Sequence, residues 1–433
     1  MSKELRDIFI VGFALFSMFF GAGNLLFPPY LGLVSGKDWF ISFIGFIIAD
    51  AGLSLLVIVV AAKCKGILDE ILIRGGKKLA RMIGCAAILC IGPFLAIPRT
   101  AATTFEMSIQ PFFNNGLGIE ASVIFSIIFF AVTLALTIRP TKVVDIIGKI
   151  LTPVLILSLL LLIIKGIVTP IGAISPEHMI DRNLFGEGIS QGYLTMDALG
   201  AAALATVMIA NLASKGYSDP KVQISMTVKA GIVAGIALSV VYGGLTYLGS
   251  TLSSTGLYDI NTSQALLVVA ITEGLLGGAG KALLAVMVLF ACLTTSIGLT
   301  SAAGEYFAKI SDGKLSYQKV VTAVCVFSAI VANFGVSTII KFSIPILQIV
   351  YPAMIILVVM TLFTEKIKND NSFKGAAYMT LIASILSVIN SLTGAFGFIN
   401  MLPFARLGFG WILPGIVGAV IGGFIKGENT KLV

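Results

Sequence analysis

Runs of about twenty apolar residues recur along the whole chain, each long enough to cross roughly 30 Å of hydrocarbon as a helix. Hydrophobic residues fill 57% of the 433 positions and charged ones only 12%. With a mean hydropathy of +1.03, a water-soluble fold would lack a polar surface. Backbone facing lipid must satisfy its own hydrogen bonds, and the runs lack the short alternation of barrel strands. The expected class is therefore an all-α polytopic membrane protein.

Twelve transmembrane helices are expected, near 8–34, 39–62, 80–108, 119–138, 143–164, 191–214, 221–249, 281–303, 318–335, 341–363, 374–395 and 408–425. The first follows MSKELRD, is too long for a signal-peptide core and has no small-residue cleavage pattern, so it is kept as a span. No soluble domain, low-complexity tract or long linker interrupts the series, and 1–433 forms one transmembrane domain.

A net charge of +8 raises the question of a nucleic-acid partner, but its distribution speaks against one. When loops are assigned alternately to two sides, 22 of the 29 Lys and Arg fall on the side holding the N-terminus. By the positive-inside rule both termini are expected to be cytoplasmic. The five cysteines form no C-x-x-C pair and are expected as reduced thiols without a metal. His178, the single histidine, falls in the long loop 165–190 and is expected to be solvated.

Two spans carry interruptions at mid-membrane depth: Gly21-Ala22-Gly23-Asn24 in the first, Thr195-Met196-Asp197-Ala198-Leu199-Gly200 in the sixth. Five helices separate their starts, and five is odd, so the two spans enter from opposite sides. The pattern implies a 5+5 inverted repeat with broken helices 1 and 6: about 8–164, then about 191–363, with two extra helices in 374–425. Interrupted segments at matching places in two repeats point to a transporter binding site near the bilayer centre.

Glycine lets a helix end and lets a ligand approach the backbone. An unwound stretch frees amide donors on the following half-helix, which suit a carboxylate, and carbonyls on the preceding half, which suit a cation or ammonium group. The plainer reading of Gly-Ala-Gly is close helix packing. Asp197, costing on the order of 3 kcal/mol at membrane depth, is either a site residue or a cap for the second half of its span. Thr294 and Thr295 in span 8 offer hard oxygens for a weakly held monovalent cation, or bond back to their own helix. Asp50, Arg99 and Glu106 are the other buried ionisable candidates. Asp50 and Arg99 are a possible pair, and one of the acids a possible proton carrier. Lys229 is expected to snorkel to the membrane edge. No metalloprotease, phosphate-loop or serine-hydrolase motif occurs, so the chain is not expected to be an enzyme.

The stretch RDIFIVGFALFSMFFGAGNLLFPPYLG, with GYLTMDALGA in span 6, closely resembles the bacterial branched-chain amino acid carriers, the Leu/Ile/Val cation symporters. That resemblance covers essentially the whole chain. It implies uptake of leucine, isoleucine and valine driven by sodium, or by protons in some members, with no cofactor, nucleic acid or obligate protein partner. The family is similar in turn to the amino acid–polyamine–organocation superfamily and the leucine-transporter fold, in which broken helices meet at the substrate site.

By that resemblance, the substrate carboxylate sits on the amides of Ala22 and Gly23, next to Asn24. Its ammonium faces carbonyls near Phe19 and Leu194-Thr195, beside Asp197. Sodium is held by carbonyls of Ser17 and Phe20 with Ala291, Thr294 and Thr295, which match an A-x-x-T-[ST] pattern. Pro28-Pro29 follow Asn24 one residue sooner than in the neurotransmitter-type relatives, so no second sodium site is carried over.

Overall fold

The computed structural model describes residues 2–64, 71–113, 117–138, 142–312, 314–428 and 430. Helices account for the regular structure, and no strand occurs among the described residues. In chain order they are α1 (Lys3–Phe19), α2 (Ala22–Ser35), α3 (Trp39–Ile47), α4 (Leu53–Lys63), α5 (Lys77–Leu89) and α6 (Ala96–Thr104). There follow α7 (Ile119–Ile138), α8 (Lys142–Val168), α9 (Leu184–Thr195), α10 (Asp197–Ser214) and α11 (Pro220–Ser250). The chain ends with α12 (Gln264–Ile310), α13 (Tyr317–Ala332), α14 (Val336–Leu362), α15 (Asp370–Thr393) and α16 (Ile412–Phe424).

Among the described residues, seven continuous helical stretches are long and apolar enough to cross a membrane. They are Ala22–Lys63, Lys77–Phe112, Ile119–Ile138, Pro220–Ser250, Gln264–Ile310, Val336–Leu362 and Asp370–Thr393. Neither the expected first nor the expected sixth span is a single member of that set, for a physical reason: each is divided, and the second half of the first, α2, runs on into span 2 within Ala22–Lys63. The first is α1 plus α2, of 17 and 14 residues. The sixth is α9 plus α10, of 12 and 18. Several boundaries also follow polar caps rather than hydropathy. Asn183, Asp219, Ser316 and Asn369 each accept a backbone N–H from the first turn of the helix they precede.

Two features depart from the expected spans. Residues 264–280, placed before span 8, are helical, and α12 runs 47 residues with a kink at Gly277 (φ 63°, ψ −155°). A chain able to take positive φ at that point joins two helices without a loop. Spans 2 and 3 contain π-helical turns, Ile48–Gly52 between α3 and α4, and Cys90–Phe94 and Phe105–Ile109 flanking α6. Such turns often mark functional sites.

The halves α2 and α9 of the two broken helices sit on their neighbours backbone to backbone. Gly32 of α2 faces the Thr246 carbonyl of α11, and Gly249 of α11 faces the Pro29 carbonyl. Likewise Gly45 of α3 faces the Phe185 carbonyl of α9, and Gly188 of α9 faces the Ser42 carbonyl. A Cβ at any of the four would overlap the opposing backbone. Every residue of α2 is buried, and Pro28 and Pro29 lie inside it without ending it. The loop after α8 folds over its far end, where Lys37 N–H donates to Ser175 O (2.9 Å) and Met179 N–H to Val34 O (2.8 Å).

At the other end, Asp7 of α1 accepts from the Tyr217 hydroxyl at 2.9 Å and lies 3.6 Å from Lys215 Nζ. Lys229 reaches Glu4 at 3.3 Å, both exposed, as expected of a side chain extending to the membrane edge. Opposite ends of the bundle are thus fastened by different means, one by backbone and the other by charge.

Candidate functional site at two broken helices

Helix α1 ends at Phe20, whose ψ of 92° turns the chain out of the helix, and Gly21 is fully extended (φ −119°, ψ −163°). The Gly21 N–H donates to Asn24 Oδ1 at 3.0 Å instead of to the Ser17 carbonyl one turn back. That one bond leaves the Ser17 carbonyl free and caps α2 at once, with the amides of Ala22 and Gly23 in its first turn. Sequence reasoning locates this break correctly at the glycines. It does not supply the reason the break holds, which is the Asn24 side chain.

The second break turns on Met196, a non-glycine residue in the left-handed region (φ 67°) between α9 and α10. A β-carbon in that region is strained and persists only where neighbours hold it. Here they do. Thr195 Oγ1 lies 2.6 Å from Asp50 Oδ1 and 2.7 Å from Gly192 O, its single proton shared between them. Asp197, in the first turn of α10, accepts at Oδ2 from Asn24 Nδ2 at 2.8 Å. Asn24 Nδ2 also donates to the Tyr242 hydroxyl of α11. One asparagine therefore fastens both breaks and a third helix.

Asp50 comes from the π-helical turn of span 2 and is buried. Its carboxyl lies beside the Asp197 carboxyl and the Tyr242 hydroxyl. The possible Asp50–Arg99 pair is not formed: among the described residues no ion pair involves Arg99. Arg99 of α6 instead donates through Nη1 to Leu194 O (2.5 Å) and through Nη2 to Thr195 O (3.3 Å), with its guanidinium 5.3 Å from the Phe27 ring centroid. These are the last carbonyls of α9, where the helix dipole favours a cation.

Around the first break, Phe19 and Phe20 are buried, and Phe20 stacks on Phe16 and Tyr242 at centroid distances of 5.4 and 6.3 Å. Thr295 of α12 lies against Gly21: a Cβ built there would be 3.3 Å from Thr295 Oγ1. Thr294 Oγ1 donates to Phe290 O and Ala291 O, each at 3.0 Å, and Ser17 Oγ to Ala14 O at 2.9 Å. The plainer reading, a hydroxyl bonded to its own helix, is thus present for Thr294. It does not remove the oxygen's lone pairs, which remain able to face a cation. Buried Ala291 and half-buried Thr294 and Thr295 all lie on the stretch of α12 that meets the break.

Glu106 is not part of this cluster. Its Oε1 accepts from Val336 N–H at 2.8 Å and caps α14. His178 is exposed beside Lys37, Asp38, Pro176 and Glu177 on the far surface. Tyr242 is not distinguished by sequence, although a tyrosine in an apolar helix needs a partner for its hydroxyl. Ser17, Asp197, Gly200, Thr294 and Thr295 keep partial exposure and Gly298 is exposed, whereas α2 keeps none. A Cβ at Gly200 or Gly298 would meet nothing within 4 Å. The exposed positions beside the breaks therefore belong to α1, α10 and α12, and none to α2.

Residues 4–429 match the model of a family described as branched-chain amino acid transport protein. The branched-chain amino acid permease BraB of Bacillus subtilis is 38% identical over 97% of this chain and 96% of its own length. The permease BrnQ of Salmonella typhimurium is 36% identical over 96% of this chain and 94% of its own. Among solved structures, Mhp1, a nucleobase-cation-symport-1 family transporter with bromovinylhydantoin bound, superposes with a TM-score of 0.63 at 10% identity, covering 96% of this chain and 91% of that one. MhsT in complex with L-phenylalanine gives 0.58 at 17% identity, covering 95% and 97%. These two likenesses show a shared leucine-transporter-like fold. The chain is a multi-pass membrane transporter rather than an enzyme, and it belongs to the family of branched-chain amino acid transport proteins.

Proposed function

We propose that the protein takes up leucine, isoleucine and valine by sodium-coupled symport with alternating access. The setting is the cytoplasmic membrane of a bacterium, with both termini in the cytoplasm. Twelve spans form two inverted five-helix repeats, about 8–164 and 191–363, followed by two helices in 374–425. The observation that carries this reading is the Asn24–Asp197 hydrogen bond, which brings two interrupted helices to one point. A zwitterion set there meets free amides of α2 on one side and a carboxylate on the other.

A zwitterion carries no net charge, so the membrane potential alone cannot concentrate it. One co-transported cation supplies about 2.3 kcal/mol per 100 mV, roughly a 40-fold accumulation before any ion gradient is counted. Sodium is a substrate in this scheme, taken by the carbonyls of Ser17, Phe20 and Ala291 and the hydroxyls of Thr294 and Thr295. Filling that site fixes the end of α1 against α12 and so organises the neighbouring break, which is the coupling that symport requires.

A second reading, proton coupling, is favoured by one observation: the buried Asp50 carboxyl lies beside the Asp197 carboxyl. Two adjacent carboxylates hold a shared proton more readily than two negative charges. Isoleucine uptake into proteoliposomes under imposed sodium or proton gradients, with and without Thr294→Ala, decides between them. Sodium-driven uptake that needs a higher sodium concentration in the variant supports the first reading. Uptake that ignores sodium and survives the substitution supports the second. Uptake that needs no gradient and never saturates overturns both.

A further inference from the structure

Arg99 is a full charge at the centre of a membrane protein, only 3% exposed, and its hydrogen-bond acceptors are two neutral carbonyls. Such a group is costly unless it serves a purpose the protein cannot meet otherwise. It occupies the carbonyl end of α9, the place at which family resemblance would set a substrate ammonium. A substrate ammonium set on those carbonyls would meet that like charge at close range. The guanidinium also packs onto Gly23, where a Cβ would lie 2.7 Å from Nη2, so it stands beside the free amides that open α2. Its Nε is buried and has no acceptor. A donor left unpaired in an otherwise bonded site awaits a partner. Two residues beyond Thr195 lies Asp197, the partly exposed carboxylate of the cluster.

We propose that Arg99 is a resident cation that fixes how the substrate lies: it faces the substrate carboxylate together with the Ala22 and Gly23 amides, and leaves the ammonium to Asp197. The proposal rests on the amino acid transport reading and adds to it the assignment of both charges. The ligand it specifies is an α-amino acid with both groups ionised. Arg99 is thus a specificity-determining residue and more than a brace between α6 and α9. Asn24, bonded to Asp197, holds that carboxylate in place.

The test uses purified full-length protein and three probes: L-leucine, L-leucinamide, which lacks the carboxylate, and 4-methylpentanoate, which lacks the ammonium. Wild-type protein is expected to favour leucine strongly over both. Arg99→Gln is expected to weaken leucine at least 10-fold and leave leucinamide unchanged or tighter, because the α9 carbonyls become free. Arg99→Lys, keeping the charge, is expected to retain the preference for leucine over leucinamide, and Asp197→Asn to lose the preference for leucine over 4-methylpentanoate. Equal weakening of leucine and leucinamide in Arg99→Gln would mark a purely structural role and overturn the proposal, as would unchanged leucine binding. Should Arg99→Gln lose helical content, a folded Arg99→Lys without the leucine preference overturns it alone. Wild-type protein that binds none of the probes overturns the transport reading itself.

Discussion

Asn24 Nδ2 lies 2.8 Å from Asp197 Oδ2, across 173 residues of sequence, and this bond joins the two places where the chain leaves its helices. The same Asn24 side chain accepts the Gly21 N–H, so the geometry of the first break and its contact with the second are one arrangement. Hydrogen bonds to a charged group contribute about 1.5–3 kcal/mol. Asn24→Ala and Asp197→Asn should each weaken leucine binding by roughly 10- to 150-fold with helical content intact. Circular dichroism and direct binding measured on the same samples check this. Full affinity in both variants would remove the bond from the site.

For Thr295→Ala and Thr294→Ala the expected defect is in the ion. The sodium concentration for half-maximal uptake should rise by about 10-fold, the loss of roughly 1.4 kcal/mol of cation binding. Leucine affinity at saturating sodium should be nearly unchanged, because the coupled sites are distinct. Uptake measured across a sodium series provides the check, and a shift in leucine affinity alone would place the threonines elsewhere.

The Asp7 fastening predicts a pH dependence. The Tyr217 hydroxyl, and then the positive charges of Lys215 and Arg6, hold the Asp7 carboxyl below its ordinary value of 3.8. A depressed folded-state value means the contribution is fully present above the ordinary value and is lost as pH falls through the folded one. Wild-type protein should therefore be more heat-stable than Asp7→Asn at neutral pH. The difference should vanish only in the acid range below 3.8. Melting temperatures in detergent from neutral to strongly acid pH would show it, and a difference that persists there would assign the effect to packing.

Close approach of α2 and α11 gives a sharper contrast. Gly32→Ala puts a methyl group into the backbone of α11 and should cost at least about 1–3 kcal/mol, seen as a lowered melting point and aggregation in detergent. Gly298→Ala, where a Cβ meets nothing within 4 Å, should fold normally. Equal stability of the two variants would mean that the helices separate more easily than their packing indicates.

How far these features can be foreseen differs between residues. Asn24, beside the Gly21 break, and Asp197 are visible in the sequence because an asparagine and an aspartate at membrane depth are exceptional where Leu and Ile are the rule. The location of both breaks follows from that. The partner of Arg99 is not visible, because Leu194 and Thr195 act through backbone carbonyls that any residue would supply. Tyr242 escapes for a related reason: a single tyrosine on an apolar helix reads as core until its hydroxyl meets Asn24. The helical 264–280 stretch escapes because its glycines resemble a loop, whereas only Gly277 takes a positive φ within α12.

The glycine crossing of α2 and α11 constrains motion as well as stability. With Gly32 set on the Thr246 carbonyl and Gly249 on that of Pro29, there is no side-chain layer between the helices to deform or slide. They must travel as a single plate. The plate includes α1, since a Cβ at Gly12 would lie 2.9 Å from the Ala230 carbonyl of α11, and the extended Phe20–Gly21 joint is where α2 is released from a continuous helical rod. That joint is also where the proposed ion would sit, so a bound ion would act as a pin through it.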